Sequence, residues 1–451
     1  MTAPVPAGTR LVPDSSLRRA CGGRVLLGGS PVRLLRVGET AARLIDRWLA
    51  GEPVRSGGAL ARRLLDAGLA HPEPPPGALG PADVTAVVPV KDDPAGLAAL
   101  LAATEELPNR IVVDDGSSSP VAEATVRHPT PHGPAAARNA GWRRATTELV
   151  AFLDADALPE PGWLDPLLRH FADPAVRAVA PRIRGAATGG QIAAYEADRS
   201  GLDLGAEAAA VRPMSRVSYV PSAALVVRRD SLDDVGGFDG ALRFGEDVDL
   251  VWRLIADGAT VRYVPESVVR HRPRPRLRTW LRQRFDYGGS AAPLSHRHPG
   301  LLSCARLSAW SAASWTALAA GRPVLAAALA AVGAGALPRK LRAHGVPDGE
   351  SWRLAAFAHL GAGRLLAEAV RRAWWPLLVP PALVSRRARL VLLAALLPCL
   401  LDALRAPRPT PSWLALRVLD DLAYAAGVWR GCARHRTSAA LLPQITGGSA
   451  R

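Results

Sequence analysis

The chain has 451 residues, enough for two or three domains, and 49% of them are hydrophobic, which excludes a disordered chain. Its net charge of +16 predicts an anionic partner, and nucleic acid, anionic lipid and phosphorylated small molecules all qualify. The four cysteines form no Cys-x-x-Cys pair, which disfavours a zinc site or a disulfide framework and indicates a reducing compartment. The first ten residues lack the apolar core of a signal peptide, so we expect the catalytic part to stay in the cytoplasm.

Residues 1–82 predict a small leading module with a winged-helix outline. Short strands are expected at 11–14 and within 24–36, where a Gly-Gly turn joins them. A helix over 41–50 would have Thr40 as its N-cap, and a second helix would end at Gly68. The arginines of the module are scattered, and the second helix has no Asn, Gln or Lys to contact bases, so no nucleic-acid partner is expected.

This module resembles the PqqD-like domains that recognise peptides during ribosomal-peptide maturation. The resemblance implies that a peptide-derived acceptor, or its precursor peptide, adds as a strand to an open sheet edge near Leu26 and Val32. Residues 71–81 are rich in Pro and Gly and predict a linker that would tether the module. The alternative is a packing domain without a ligand.

Residues 83–290 predict a doubly wound α/β domain. Apolar strands are expected at 83–90, 111–115 and 149–153, each closed by acidic residues and followed by a helix. Ligands of such sheets bind beyond the carboxyl ends of the strands, where these acidic residues lie.

Asp154 and Asp156 follow the third strand directly. Two carboxylates at the end of a buried strand are costly unless a cation lies between them, and Mg²⁺ or Mn²⁺ accepts such ligands together with substrate phosphates. The alternative is an ordinary acidic turn.

Five motifs occur in a consistent order: Val-Pro-Val-Lys-Asp-Asp at 88–93, Val-Val-Asp-Asp-Gly-Ser-Ser-Ser at 112–119, Ala-Arg-Asn-Ala-Gly at 137–141, Phe-Leu-Asp-Ala-Asp at 152–156 and Gly-Glu-Asp at 245–247. Together they resemble the inverting family-2 glycosyltransferases of the GT-A fold, over residues 84–290. The resemblance implies a nucleotide-sugar donor and a divalent metal. At matching positions it implies that Pro89 and Asp115 face uracil and that Asp114 supports their loop. Arg138 and Asn139 would lie over the nucleotide. The full set of implied donor-binding residues is Pro89, Asp92, Asp114, Asp115, Arg138, Asn139, Asp154, Arg282 and Arg284.

The resemblance also implies the metal ligands and the catalytic pair. Asp154 and Asp156 would bind a cation that bridges the two phosphates, and His271 matches a position where some relatives supply a ligand. Asp247 resembles the catalytic base, and Glu246 would shape the acceptor site. A carboxylate beside the acceptor hydroxyl is suited to general-base catalysis.

The alternative for Glu246 and Asp247 is an acidic helix N-terminus, which the helix dipole stabilises. That alternative does not explain Asp249, Trp252 and Arg253.

Residues 291–451 predict an apolar helical tail. The runs 310–337 and 374–401 are apolar but interrupted by arginines, and neither offers a clean stretch of about 20 apolar residues. We expect helices that contact or partly enter the membrane from its cytoplasmic side, peripherally or with one or two spanning helices. The alternative is a soluble helical domain.

The pairing of a PqqD-like module with a family-2 core resembles the glycosyltransferases of the mycofactocin system of actinobacteria. That resemblance implies UDP-glucose as donor and premycofactocin, a peptide-derived redox cofactor precursor, as the acceptor of β-1,4-linked glucose units. Two alternatives remain: a membrane-surface enzyme making a glycolipid or cell-wall glycan, and a non-catalytic protein that delivers a peptide.

Overall fold

The structure, a computed structural model, describes residues 3–407 and 409–446 of the chain. The chain divides into two compact units, Met1–Pro273 and Arg274–Arg451. Residues 274–290, predicted to end the catalytic domain, therefore group with the second unit.

The first unit begins with a small module of short strands and two helices. Its elements are β1 (Arg10–Pro13), β2 (Arg18–Ala20), β3 (Val25–Gly28), β4 (Arg33–Arg36), α1 (Glu39–Leu49), α2 (Gly58–Ala67) and β5 (Ala70–Glu73). Strands β2, β3 and β4 form an antiparallel sheet, and β1 pairs antiparallel with β5. Ile45, Trp48 and Leu64 belong to one buried cluster that joins the helices to the strands. The two predicted helices are present, and the PqqD-like assignment stays a prediction.

Three details of the predicted module are wrong. Helix α1 begins at Glu39 with Gly38 at the N-cap, so Thr40 lies inside the first turn and caps nothing. His71 and Pro72 belong to β5, where they pair with Val12 and Leu11, so the predicted linker begins only after a strand. Leu26 lies in β3, the middle strand, whose two sides are both paired, so an open edge at Leu26 is excluded. Strand β4, which begins one residue after Val32, is an edge of this three-stranded sheet, so peptide addition near Val32 stays a prediction.

The rest of the first unit is an α/β domain. Its strands are β6 (Val84–Val90), β7 (Asn109–Asp115), β8 (Val126–His128), β9 (Leu149–Leu153), β10 (Ala157–Pro159), β11 (Val176–Gly185), β12 (Ala209–Ala210), β13 (Ala224–Arg228) and β14 (Thr260–His271). Its helices are α3 (Pro94–Ala103), α4 (Pro134–Trp142), α5 (Leu164–Leu168), α6 (Gly190–Arg199), α7 (Arg229–Val235) and α8 (Glu246–Ala256), with 3₁₀ turns at Pro81–Asp83 and Arg169–Ala172.

These strands form a nine-stranded sheet in the order β10-β14-β11-β13-β9-β6-β7-β8, with β12 pairing to β14. Strands β9, β6, β7 and β8 are parallel, as a doubly wound sheet requires, whereas β13 runs antiparallel to β9 and β11. The sheet is therefore mixed. All five residues of β9 are buried, as its uninterrupted apolar sequence predicts. Because β9 is buried up to its last residue, Leu153, the next residue, Asp154, lies at the edge of the core.

The module and the α/β domain are joined by buried polar contacts. Arg62 Nη2 lies 2.5 Å from Asp173 Oδ2, and the two side chains are 4% and 10% exposed. Arg212 of the α/β domain donates a hydrogen bond to the carbonyl oxygen of Asp66 at the end of α2. Breaking a buried ion pair costs about 3–5 kcal/mol, so this attachment is far firmer than a flexible tether.

The second unit is mainly helical. Its helices are α9 (Leu277–Gly289), α10 (Ala291–Arg297), α11 (Ala309–Ala319), α12 (Pro323–Arg342), α13 (Asp348–Ala369), α14 (Trp375–Val384), α15 (Arg386–Arg405) and α16 (Pro411–His435), with a π-helical turn at Val370–Trp374 and a 3₁₀ turn at Ala439–Leu441. Strands β15 (Arg306–Ser308) and β16 (Gln444–Thr446) form a parallel pair. Helices α9 and α16 cross closely at two glycines: a Cβ on Gly427 would lie 1.9 Å from the carbonyl oxygen of Phe285, and one on Gly288 would lie 2.0 Å from that of Tyr424.

Both predicted apolar runs are divided in the structure. The run 310–337 breaks between α11 and α12, and the run 374–401 breaks at Ser385 between α14 and α15. Within the described residues, α12 is the one helix long and apolar enough to cross a membrane, and 11% of its apolar window is buried.

Candidate active site

The carboxyl ends of β6 and β7 carry the residues predicted to face the nucleotide base. Pro89, one residue before the end of β6, lies opposite Val113 of β7. Asp114 is fully buried and accepts hydrogen bonds from the backbone N–H of Ser117 at 2.9 Å and from Arg127 Nη1 at 2.6 Å. Burial alone would raise the pKa of Asp114, but these hydrogen bonds outweigh burial and lower it. Asp114 therefore stabilises the loop after β7 as an anion.

Asp115 organises the next loop. Its Oδ1 accepts from His132 N at 2.9 Å and contacts His128 Nδ1 at 2.8 Å, and its Oδ2 accepts from Gly133 N at 2.8 Å. Burial would raise its pKa, yet the hydrogen bonds lower it. A carboxylate has about four acceptor positions, so Asp115 keeps capacity for one further donor, such as a base N–H.

The exposed Asp92 joins the loops that follow β6 and β7. Its Oδ1 accepts from both the backbone N–H and the hydroxyl of Ser118, each at 2.8 Å. Those hydrogen bonds lower the pKa of Asp92. The residue thus fixes the spacing of the two loops that would surround a nucleotide.

Arg138 connects the two halves of the predicted site. This residue of α4 is 3% exposed; its Nη2 lies 2.6 Å from Asp154 Oδ1 and its Nη1 lies 2.9 Å from Glu246 Oε1. The guanidinium also lies 5.5 Å from the ring centroid of Phe238. Sequence motifs separated by 108 residues therefore meet at one buried cation.

Asn139 is held by the loop around Phe238. Its Nδ2 donates to the Phe238 carbonyl at 2.7 Å, and its Oδ1 accepts from Phe238 N at 3.0 Å and from Trp142 Nε1 at 2.8 Å. These bonds place Phe238 over Arg138. A contact between Asn139 and the nucleotide stays a prediction, since its amide already serves this loop.

The predicted metal ligands divide into a pair and a separate carboxylate. Strand β10 pairs with the end of β14 so that Ala157 lies opposite His271, which brings Asp156 Oδ1 to 3.3 Å from His271 Nε2. Asp154 instead directs Oδ1 to Arg138, with a side chain that is 29% exposed. No group of three or more His, Cys, Asp or Glu side chains suited to a metal occurs in the described part of the chain. One carboxylate and one imidazole still fit a cation whose other ligands are water and phosphate oxygens.

Glu246 and Asp247 form the first turn of α8. The turn is possible because Gly245 adopts φ +79°, a left-handed conformation that favours glycine. Asp247 Oδ1 accepts from Val248 N at 2.8 Å, and its Oδ2 lies 3.4 Å from Ser222 N. Burial raises the pKa of Asp247, and burial together with the charge of Asp247 raises the pKa of Glu246 to about 7 despite Arg138. This environment suits a group that must accept a proton near neutral pH.

The three residues that follow this pair have structural roles. Asp249 is fully buried and pairs with Arg253 Nε at 2.8 Å, and Arg253 also donates to the carbonyls of Val235 and Gly237. Trp252 Nε1 donates to the Ser218 carbonyl at 2.8 Å. These contacts anchor the loops beside α8 and account for the three residues, so they no longer count against the alternative of an acidic helix N-terminus.

Arg282 and Arg284, predicted to contact the diphosphate, lie on α9 in the second unit. Arg282 pairs with Asp286 on the same helix at 3.0 Å and is 64% exposed. Arg284 is 5% exposed, and its Nε lies 3.3 Å from Asp420 of α16. The buried Arg284 thus contributes to helix packing, and a donor contact for either arginine stays a prediction.

Sequence reasoning missed Phe238 and Ser222. Phe238 stands in the sequence Gly-Gly-Phe-Asp at 236–239, which by itself indicates no role for the ring. Ser222 contributes only a backbone N–H, which leaves no signature in the sequence.

Three comparisons bear on the family. Residues 86–236 match the family model described as glycosyl transferase family 2. The chain is 42% identical, over 98% of its length and 98% of the relative, to the pre-mycofactocin glycosyltransferase of Mycobacterium tuberculosis H37Rv. It is 29% identical to the probable polypeptide N-acetylgalactosaminyltransferase 8 of Homo sapiens, over 33% of this chain and 26% of that protein.

Among solved structures, the chain is similar to a mannosyltransferase from Pyrobaculum calidifontis in complex with GDP-Man and Mn²⁺. The TM-score is 0.42 at 18% identity, and the match covers 79% of this chain and 91% of that one. A Staphylococcus aureus TarS structure with UDP gives a TM-score of 0.36 at 17% identity, over 46% of this chain and 64% of that one.

Proposed function

The chain belongs to the mycofactocin-system glycosyltransferases of family 2, and from that premise we propose that it transfers glucose from UDP-glucose to a hydroxyl of pre-mycofactocin. Repeated transfer would build a β-1,4-linked oligoglucoside. The 42% identity to a pre-mycofactocin glycosyltransferase over nearly the whole chain supports this acceptor.

The observation that carries the proposal is the cluster of Asp154, Glu246 and Asp247 around Arg138. Asp247 accepts the proton of the attacking hydroxyl, while a new C–O bond forms at the anomeric carbon. The bond to the diphosphate breaks on the opposite face and releases UDP. One base with in-line attack inverts the anomeric centre, so an α-linked donor yields a β-linked product.

A divalent cation, Mg²⁺ or Mn²⁺, would be held by Asp156 and His271, whereas Asp154, which the family resemblance also implies as a ligand, is paired to Arg138. When bound, it supplies positive charge that stabilises the departing diphosphate. The protein itself supplies the positive charge of Arg138. This charge neutralises Asp154 and Glu246, so that several carboxylates can lie close together in one site.

The test is a transfer assay with purified protein, synthetic pre-mycofactocin and either UDP-glucose or GDP-mannose. We expect hexose additions by mass spectrometry with UDP-glucose only, and a β-anomeric proton signal by NMR. An α-linked product contradicts the inverting mechanism, and transfer from GDP-mannose alone contradicts the donor. Hydrolysis and transfer both absent would favour a non-catalytic delivery protein.

We further propose that the second unit binds the cytoplasmic membrane surface. Helix α15 exposes an apolar stripe at helical spacing, with Leu390 54%, Leu393 63%, Leu397 54% and Leu404 67% exposed. Its N-terminal turn carries the exposed arginines 386, 387 and 389, which complement anionic headgroups. This surface also favours the alternative of a lipid-linked acceptor.

Cosedimentation with vesicles tests the membrane proposal. Wild-type protein should partition onto phosphatidylglycerol vesicles more strongly than onto phosphatidylcholine vesicles. The double variant Leu393→Glu/Leu397→Glu should partition weakly, whereas Val32→Glu, a matched exposed position in the first unit, should behave as wild type. Equal partitioning of all three proteins contradicts this surface.

A further inference from the structure

A pocket of about 390 Å³ lies between the leading module and the α/β domain, and none of the donor-site residues lines it. The module contributes β1 and β5, the paired strands that include Val12 and His71. The α/β domain contributes β14 with Arg262 and the 3₁₀ turn with His170. A volume of roughly 300–1,000 Å³ is typical of small-molecule sites.

Two buried polar side chains line this pocket with unused hydrogen-bonding atoms. Arg262 is 2% exposed and its Nε has no hydrogen-bond partner in the described protein; its Nη2 lies 3.4 Å from His71 Nδ1. His170 is 7% exposed, and its Nδ1 is likewise unpartnered among the described residues. Buried polar atoms are almost always hydrogen-bonded, so these two groups indicate a ligand with oxygen acceptors.

The charge of Arg262 is only partly balanced. It makes no ion pair with a described residue, and the buried Asp173, whose charge acts on it, is paired to Arg62. Burial, reinforced by the charges of Arg212 and Arg62, lowers the pKa of Arg262 to about 10, so it remains cationic at pH 7. Burial lowers the pKa of His170 to about 3, so His170 is a neutral imidazole. The interior of the pocket therefore favours one anionic group.

The outer part of the pocket has the opposite charge. Glu73, Glu207 and Glu266 are exposed side chains that line it together with one exposed cation, Arg169, so the net charge of this part is negative. Glu207 Oε2 lies 3.7 Å from Arg216 Nη2, and Asp14 is already paired to His71 at 2.8 Å. The remaining lining is largely apolar and stiff, with four prolines at positions 13, 72, 74 and 166. A simple anion such as phosphate would be repelled by this acidic rim, and a simple cation would leave Arg262 unpaired.

We propose that this pocket binds a compact zwitterion, an amino acid or a short peptide with an apolar side chain. Its carboxylate accepts hydrogen bonds from Arg262 and His170, and its ammonium group lies among the glutamates of the rim. The apolar side chain packs against the prolines and Val264. Because both the module and the α/β domain contribute residues, such a ligand would strengthen their association.

Calorimetric titration of the full-length protein tests this, with L-leucine and glycyl-L-leucine as the two probes. Tighter binding of L-leucine would identify the natural ligand as a free amino acid, and tighter binding of glycyl-L-leucine would identify it as a peptide terminus. L-Leucinamide, which lacks the carboxylate, and N-acetyl-L-leucine, which lacks the ammonium group, should each bind at least ten-fold more weakly than L-leucine. Binding of neither probe, equal binding of the capped analogues, or tighter binding of inorganic phosphate would overturn the proposal.

Two variants test which protein groups bind the carboxylate and the ammonium group of the ligand. Arg262→Gln should weaken binding about 30-fold or more, since loss of a buried charged hydrogen bond costs about 2–5 kcal/mol. Because this variant could unfold the interface, Glu266→Gln at the exposed rim serves as a second test and should weaken binding ~2–5-fold. Glu105→Gln, an exposed glutamate outside the pocket, is the matched control and should bind as wild type. Unchanged binding by Glu266→Gln would contradict a role for the rim.

Discussion

Replacement of Arg138 by methionine is expected to destabilise the first unit strongly above pH 7. The guanidinium is buried and lies within 2.9 Å of two carboxylates, Asp154 and Glu246, while Asp247 adds a third charge nearby. Removing one partner of a buried pair costs about 3–5 kcal/mol. The Asp154 side chain is 29% exposed and therefore screened, so most of this cost comes from Glu246, which is 10% exposed.

The sign of the pH dependence follows from Glu246. Its pKa is raised to about 7, so its attraction to Arg138 is complete above pH 7 and declines as the carboxyl takes up a proton below that value. Arg138→Met should therefore lose more stability at pH 8.5 than at pH 5.5. Arg138→Lys, which keeps the charge but cannot contact both carboxylates in the same way, should lie between the variant and wild type.

Urea unfolding followed by circular dichroism at the two pH values measures these differences. Arg143→Met is the matched control, because Arg143 is exposed one turn further along the same segment and stacks on Trp142. A loss below about 1 kcal/mol, or an equal loss at both pH values, would refute the view that Arg138 balances the buried carboxylates.

Asp156→Ala should abolish metal-stimulated transfer without changing the unfolding midpoint, and unchanged turnover with Mn²⁺ would contradict the metal assignment. Asp247→Asn should lower turnover ~10²–10⁴-fold with little change in UDP affinity, and equal losses in both would place Asp247 in the donor site. Glu246→Gln should become more stable relative to wild type as pH rises from 5 to 8, because a carboxyl with a raised pKa loses stability over that window; a flat difference would contradict the raised pKa. Deletion of residues 1–75 should lower solubility and UDP-sugar hydrolysis together, whereas a soluble, active fragment would show that the module is separable.

The positions of the strands were predictable because a buried strand requires a run of apolar residues, which can be seen in the sequence. The apolar run at 149–153 matches β9 residue for residue, since a central strand with both faces covered admits apolar side chains alone. The direction of β13 was not predictable, because parallel and antiparallel neighbours require the same apolar residues. The mixed order of the sheet depends on loops whose path has no periodic signal.

The candidate site was predictable as a set of motifs, but its internal contacts were not. Acidic residues at strand ends mark the edge of the sheet, and Asp114, Asp115 and Asp154 all lie there. The bridge from Arg138 to Glu246 joins residues 108 apart, and only the folded sheet brings them together. Asp249 and Arg253 show the reverse problem, since a charged pair four residues apart on a helix has the same sequence whether it serves catalysis or structure.

The attachment of the leading module changes how an acceptor would be delivered. A flexible tether raises local concentration while leaving the bound group free to move, and the Pro/Gly-rich sequence at 71–81 suggested such a tether. In the structure His71 and Pro72 are paired in β5, and Arg62 forms a buried ion pair with Asp173 111 residues away. Separating the module from the α/β domain would leave the buried charges of Arg62 and Asp173 without partners. A freely moving module would have to break this ion pair each time it moved. Anything that this module binds is therefore held at a fixed position relative to the nine-stranded sheet. If Asp247 is the base, as proposed, the hydroxyl of such an acceptor would have to reach it through the length and flexibility of the acceptor itself.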